Sequence, residues 1–518
     1  MTRAAAWATP ERVAAPLLIA LGAVSRAAHY ASNRPLWNDE TALALNVMLL
    51  PFAELRGGLA GEQVAPLGFL VAEKLVASAL GPSEWALRLV PFVASLASLW
   101  LFWQVARRWL EPTPALWALA LFAADWTLVY YAAEAKQYST DVLAALAVWR
   151  VGHGLHEAGV SGRRLLVAAV VGAAAPWLSH PAIFVCAGVG LAWQLAVPRG
   201  QARRRARLLA VSACWLASFA LEYLLVLRST PAVERLQSTW KHAFMPLLPD
   251  SLDAWSWFPR TFVGVFADPL ALGLPALAAL VFALGCGALA LRNRPVLASA
   301  LAPVGFALLA SAARLYPFAT LGQLPHIIDP EMFHPPHGRF LLFSVPVWIA
   351  GMAAGLGLPW ASRRPGLRWA AAVAGAALLW HPALAALRAT LEPPRVHDVR
   401  SLVDDLMREH RPGEAIVAIP FALPLEYYLV RRGWRTPFQL VQIQRPDDLA
   451  TLDEHLASAE SGARYWVVTV EHPRWPSRAL RERAEEMLGE RGEPLREIRH
   501  FRASARLFRL GAQPPGNR

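Results

Sequence analysis

Trp37-Asn38-Asp39-Glu40 sets two carboxylates side by side, just after an apolar run that begins at Val13. A carboxylate so placed can act as general base toward a hydroxyl, and two together also suit a divalent cation. The plainer reading is structural, because acids favour the first turn of a helix, here one beginning at Thr41. A second group, Glu134, Lys136, Gln137, Tyr138 and Asp141, lies in a short stretch between two apolar runs. Mixed charges in so tight a turn face one another or a cavity, although interface anchoring is their ordinary role. Lysine is scarce: Lys74, Lys136 and Lys241 are the only lysines among 50 basic residues. An ammonium is a compact point charge suited to phosphate, which singles out Lys136 and Lys74.

A third group runs from His326 through Asp329, Glu331, His334 and His337 to Arg339. Histidines and carboxylates this close can bind a metal. Yet Pro325, Pro330, Pro335 and Pro336 forbid a regular helix, and the spacing matches no standard zinc pattern. No metal is assigned on this ground, and Arg339 is the stronger candidate. An arginine at the mouth of a membrane span can clamp a lipid phosphate. His180, at the end of another apolar run, reads as an interfacial residue rather than a ligand.

The elements that must carry these groups are membrane spans. The chain is 56% hydrophobic and only 17% charged, where a soluble protein of this length carries roughly a quarter charged residues. Apolar runs near the ~20 residues needed to cross a bilayer recur from residue 12 to about 392. Spans are expected at 13–32, 86–106, 114–133, 138–156, 164–180, 181–198, 208–228, 269–291, 296–316, 339–359 and 369–391, about eleven in all. The first reads as an uncleaved span although Arg26 interrupts it. The segment 64–80 is apolar but short, and Glu73 and Lys74 at mid-membrane would cost about 2–3 kcal/mol each. It is expected to lie in the interface instead.

The loop charges agree with that count. Arg107 and Arg108, Arg163 and Arg164, Arg199 to Arg207, Arg292 and Arg294, and Arg363 to Arg368 then all share one side with the N-terminus. By the positive-inside bias that side is the cytoplasm. The opposite loops are long and rich in Asp, Glu, His, Trp and Pro, so chemistry is expected outside. All three lysines also fall there. The formal charge of +12 therefore reflects topology, and nucleic acid is not an expected partner. Cys186, Cys214 and Cys286 lie in apolar runs, so neither a disulfide framework nor a cysteine metal site is expected.

The composition changes abruptly near residue 395. The sequence thus divides into a membrane domain, 1–394, and a soluble domain, 395–518. In the tail, helices are expected at Val399–His410, Asp447–Ala459 and Ser477–Glu490. Strands are expected at Glu414–Ile419, Tyr465–Val470 and Arg499–Leu510. That alternation predicts a small α/β domain. It has no phosphate-cradling glycine loop, so no catalysis is assigned to it.

Taken together, residues from about 12 to 392 resemble the GT-C superfamily of membrane glycosyltransferases. They are most similar to its family 39-like group of protein mannosyltransferases and lipid A aminoarabinose transferase. The resemblance rests on Trp37-Asn38-Asp39-Glu40 and on Gly81-Pro82-Ser83-Glu84-Trp85-Ala86-Leu87-Arg88. It rests also on Ala135-Lys136-Gln137-Tyr138-Ser139-Thr140-Asp141 and Gly338-Arg339-Phe340-Leu341-Leu342-Phe343. It implies a polytopic helical bundle with outer juxtamembrane helices, and inverting transfer from a polyprenyl-phosphate sugar. Asp39 takes the position of the family's presumed base. The chain departs from the family at Gln63-Val64-Ala65-Pro66-Leu67, where paired prolines are frequent. The resemblance therefore names neither the sugar nor the acceptor, which is a lipid, glycan or protein.

The reading is an inverting glycosyltransferase of the bacterial inner membrane, with a cytoplasmic N-terminus and an extracytoplasmic tail. Asp39 is the base. Glu40, Glu134 or Asp141 orients the acceptor or holds a divalent cation. Lys136 and Arg339 neutralise the leaving phosphate, with Tyr138, Lys74 and Arg88 as further substrate contacts. A flippase of lipid-linked sugars is the rival, and it predicts ionisable residues along the spans and internal repeats. A membrane scaffold is a third reading, and it requires nothing of Asp39 or Lys136.

Overall fold

The computed structural model describes residues 9–61, 63–229, 237–238, 240–320, 336, 338–361, 364–420, 422–434, 439–471 and 477–511. They fall into two compact units. The first is drawn from Met1–Ser32, Val47–Leu324 and Pro336–Pro393. The second takes the tail from Pro394 onward, as the composition suggests, but also Asn33–Asn46. The segment bearing Asp39 is thus grouped with the tail and not with the spans.

Helices dominate the first unit: α1 (Thr9–Ala31), α2 (Asn38–Leu49, begun in the second unit), α3 (Leu67–Leu80), α4 (Glu84–Leu87), α5 (Leu89–Trp109), α6 (Pro112–Ala124), α7 (Trp126–Tyr131) and α8 (Tyr138–Gly152). There follow α9 (Gly162–Leu178), α10 (Ala182–Ala196), α11 (Ala202–Leu225), α12 (Leu252–Ala267), α13 (Pro275–Arg292), α14 (Arg294–Ala312), α15 (Val345–Gly357) and α16 (Pro365–Leu391). Among the described residues, seven helical segments, including α1, α5, α11, α13, α14 and α16, are long and apolar enough to cross a membrane. The seventh is the stretch Gly338–Gly357 that ends in α15. The chain is a multi-pass membrane protein. α3 has only 14 residues, too few to span at 1.5 Å per residue.

Lipid-facing and core-facing sides follow from side-chain type. On α1, Val13, Leu17, Leu21 and Val24 are exposed on one stripe, a surface that acyl chains cover without cost. α15 is the opposite case, buried along its whole length. Its glycines let α13 approach closely. A Cβ at Gly285 would lie 1.8 Å from the Gly351 carbonyl oxygen, and one at Gly355 would lie 2.0 Å from that of Val281. Only small residues permit this contact.

The expected span 114–133 is broken. α6 ends at Ala124, and Asp125 accepts from Leu128 N at 2.9 Å to start α7. The break leaves carbonyls without helical partners, which in lipid is costly. Arg26 supplies the donors: its guanidinium reaches Ala123 O at 3.0 Å and Phe122 O at 3.3 Å, and Ser95 Oγ at 2.9 Å. The charge that interrupts the first apolar run is therefore fully engaged.

In the second unit, β1 (Ala415–Ile419), β2 (Leu440–Gln442), β3 (Arg464–Val470), β4 (Gly492–His500) and β5 (Ala503–Leu510) form one sheet in the order β2-β1-β3-β5-β4. β2 and β3 flank β1 in parallel, with Val417 opposite Val467, and β5 runs antiparallel to β3. Helices α17 (Val399–Glu409), α18 (Leu423–Arg431), α19 (Leu449–Ala457) and α20 (Ser477–Gly489) connect or precede the strands. β1 is buried throughout, as a strand covered on both faces must be. Val417, Val467, Leu452, Leu480 and Phe508 share its core. The expected single strand Arg499–Leu510 is corrected to a hairpin, because the chain turns at Arg502, whose φ is +52°.

Candidate functional site

The segment 33–46 owes its conformation to the second unit. Trp37 caps α2, and Glu40, three residues on, turns its carboxylate back to accept from Trp37 N at 3.3 Å. An acid at this position satisfies one of the orphan amides that every helix start leaves. Glu40 is wholly buried, with Arg34 and His397 buried around it, whereas Asp39 is only half-buried. The two adjacent carboxylates thus have different surroundings: one caps a helix inside the unit, and the other retains access to solvent. Leu36 N donates to Tyr428 Oη at 2.9 Å, and Arg400 Nη1 donates to Asn33 O at 3.2 Å.

His397 is a residue that the sequence pattern did not single out. Burial holds it down to a pKa of about 4, against the pull of Asp398 and Glu40, while Arg34 pushes the same way as burial. The folded unit therefore keeps this imidazole neutral at pH values where an unfolded chain protonates it. The resulting stability is complete above about pH 6.5 and is lost as pH falls toward 4. Between pH 7 and pH 5 the second unit should lose about 2 kcal/mol through this group. Hydrogen exchange of the β1 and β3 amides, corrected for intrinsic rates, should report that loss in the wild type. An equal loss in His397→Asn would assign it elsewhere.

In the first unit, the turn between α7 and α8 is drawn inward. Glu134, Lys136, Ser139, Thr140 and Asp141 are all buried, as are Tyr130, Tyr131 and Tyr138. Backbone and hydroxyl groups account for the turn: Lys136 N donates to Glu134 O at 2.7 Å, Ser139 Oγ to Tyr131 O at 2.8 Å and Thr140 Oγ1 to Leu178 O at 2.9 Å. The Lys136 ammonium donates to the Gln63 side-chain oxygen, and Gln137 Nε2 reaches Val64 O at 3.3 Å. The stretch where the sequence departs from its resemblance is thus the one that meets Lys136 and Gln137.

Arg339 joins this group from a 3₁₀ turn, Gly338–Ser344. Its guanidinium lies 5.5 Å from the Trp240 ring centre, 5.7 Å from Phe340 and 5.9 Å from Tyr138. Tyr131 lies within electrostatic reach of Arg339, Tyr138 and Glu134. Asp268 fixes the turn by accepting from Gly338 N at 2.9 Å. Gly338 itself packs on the Asp268–Pro269 backbone, where a Cβ would come within 2.6 Å of Pro269 N. Half-buried Arg339 thus lies with Tyr131, Tyr138 and Glu134, and buried Lys136 belongs to the same α7–α8 turn as these three. Such a group suits a phosphate, with the rings covering its apolar surroundings.

The remaining candidates have other positions. Lys74 donates to Val47 O at 2.8 Å and sits 5.5 Å over the Phe52 ring. Arg88 is buried where α4 meets α5, beside Tyr30. Asp141 is buried near Ser179 and Tyr316, and its Oδ1 has no hydrogen-bond partner among the described residues. His180 pairs with buried Glu222 at 3.0 Å, so it has a partner inside the unit. Glu222 stood in an apolar run and could have been noticed there. His326, Asp329, Glu331, His334 and His337 lie outside the described residues. Among the described residues, no group of three or more His, Cys, Asp or Glu is placed to hold a metal.

No family model and no curated protein matches the sequence. Solved structures do. ArnT from Cupriavidus metallidurans in the apo state matches with a TM-score of 0.57 at 15% identity, over 95% of this chain and 98% of that one. The same protein bound to undecaprenyl phosphate matches with a TM-score of 0.57 at 14% identity, over the same 95% and 98%. The archaeal oligosaccharyltransferase AglB from Archaeoglobus fulgidus, in complex with an inhibitory peptide and a dolichol-phosphate, matches at 0.54 and 10% identity, over 94% of this chain and 73% of AglB. The arabinofuranosyltransferase AftD from Mycobacteria matches at 0.51 and 16% identity, over 96% of this chain and 41% of AftD. These are GT-C membrane glycosyltransferases, and the chain has their fold.

Proposed function

We propose that the chain is an inverting glycosyltransferase that moves a sugar from a polyprenyl-phosphate carrier to an acceptor hydroxyl at the outer face of the bacterial inner membrane. The observation that carries this reading is the GT-C fold along 95% of the chain, shared with a protein solved with undecaprenyl phosphate. Buried Lys136, Tyr131 and Tyr138, with half-buried Arg339, support it, because a lipid phosphate needs cations in an otherwise apolar setting.

In the proposed reaction Asp39 takes the proton of the acceptor hydroxyl. The freed oxygen attacks the anomeric carbon, and the bond from that carbon to the phosphate oxygen breaks. The electron pair leaves with the polyprenyl phosphate, whose added negative charge Lys136 and Arg339 stabilise. A single displacement inverts the anomeric centre. Glu40 supports this chemistry as the cap of α2, and Glu134 orients Lys136 or the acceptor. A divalent cation remains compatible with Asp39 as a ligand.

The test is a purified full-length chain in liposomes, given a panel of radiolabelled polyprenyl-phosphate sugars and envelope lipid extract. Release of polyprenyl phosphate together with a new glycoconjugate is expected for one donor. Movement of intact donor across the bilayer without release would replace the enzyme by a transporter. Orientation is checked separately. A reporter active only in the periplasm should be active when fused after Arg400 and silent when fused after Arg205.

A further inference from the structure

We infer that the tail domain is the brace of the catalytic segment, holding Asp39 through Tyr428, Arg400 and His397, which act as positioning residues. This deepens the proposed reaction and rests on Asp39 being its base. Asn33–Asn46 groups with the tail and not with the spans that adjoin it in sequence. Two hydrogen bonds fix the segment from outside itself, and a buried histidine lies within electrostatic reach of it. Tyr428, at 0% exposure on α18, offers its hydroxyl oxygen to the Leu36 amide at 2.9 Å. Arg400, on α17, donates to the Asn33 carbonyl at 3.2 Å, and Asn33 is one of the few non-glycine residues with positive φ. His397 is buried within electrostatic reach of Glu40, itself buried, whose carboxylate caps the helix that carries Asp39.

The arrangement has a consequence for the chemistry. A base works only when it lies within hydrogen-bond reach of its proton, and small misplacements lower rate steeply. The segment 33–37 has no regular hydrogen-bonded structure before α2, so its backbone groups need partners from elsewhere. Leu36 and Asn33 find them on helices that follow in sequence by more than 350 residues. The tail carries no catalytic motif of its own. Its α/β core supplies a rigid frame for a short segment that would otherwise be a mobile loop.

Tyr428→Phe tests this with the loss of one oxygen. In the full-length protein, the Leu36 amide should exchange about tenfold faster, because its acceptor is gone. Turnover should fall by about tenfold or more with donor KM within twofold. The decisive arm is the double variant. If Tyr428 acts through Asp39, then Tyr428→Phe placed on Asp39→Asn should lower turnover no further. Unchanged Leu36 exchange with normal turnover would overturn the brace. An equal loss in both backgrounds would also overturn it, because Tyr428 would then act independently of Asp39. If Asp39→Asn itself turns over normally, the base reading fails, and the exchange measurement alone decides whether the tail holds the segment.

Discussion

Asp39→Asn should leave the protein in the membrane at normal levels and reduce turnover at least about 100-fold, the lower end of what a general base contributes. Asparagine preserves the size of the side chain and its capacity to hydrogen-bond, and removes only the proton acceptor. The start of α2 should tolerate it, because Glu40 caps the Trp37 amide. Asp39 is half-buried and so keeps the access that a base for an incoming hydroxyl requires. Glu40→Gln is the informative contrast. It retains an oxygen for the Trp37 amide but alters the balance of charge with buried Arg34 and His397. Its main effect should therefore be on stability of the second unit, with turnover per folded molecule much less affected. Near-normal turnover of purified Asp39→Asn would exclude Asp39, and Glu40 would then have to be reconsidered in spite of its burial.

Seven of the about eleven expected spans recur among the described residues as helices long and apolar enough to cross a bilayer. They were legible because a bilayer imposes a length and an apolar composition that few other structures share. The run 208–228 became Ala202–Leu225 and 369–391 became Pro365–Leu391, each with its basic flank visible in the sequence. The break at Asp125 was not legible. A single acid in an apolar run looks like a tolerated charge until Arg26, from another run, is found on the carbonyls that the break exposes. Partners distant in sequence also hid His397, whose neighbours Arg34 and Glu40 precede it by more than 350 residues. In the tail, β1 and β3 announced themselves as continuous apolar runs. β4 did not, because it is exposed at almost every position and shows no alternation. Of the candidate site, the motif around Lys136 and Arg339 was readable. The aromatic residues that enclose it, Tyr131 and Trp240, were not, since aromatics are common at membrane boundaries for reasons of anchoring alone.

Lys136→Ala and Arg339→Ala should each lower kcat/KM severely. Removing one cation from a partly desolvated charge pair costs on the order of 2–4 kcal/mol, or about 30- to 1,000-fold in rate. The reason lies in where the two charges sit. Both are held in protein, Lys136 against Gln63 and Arg339 among Trp240, Phe340 and Tyr138. In the proposed reaction, a phosphate that meets both cations exchanges water for them at little cost of reorganisation. The attraction grows as the glycosidic bond breaks and the phosphate gains charge. Lys136→Arg should restore only part of the activity, because a planar fork differs in reach and hydration from an ammonium. The competing account makes Lys136 an anchor for the α7–α8 turn, with the Gln63 contact as its purpose. Heat stability in the presence of ligand separates the two. Polyprenyl phosphate should protect the wild type against unfolding by mass action and should protect Lys136→Ala far less. Gln63→Ala, which removes the anchor's partner and keeps the charge, should remain protected. Equal protection of wild type and Lys136→Ala at matched lipid and detergent would leave Lys136 a structural residue and remove the phosphate clamp from the mechanism.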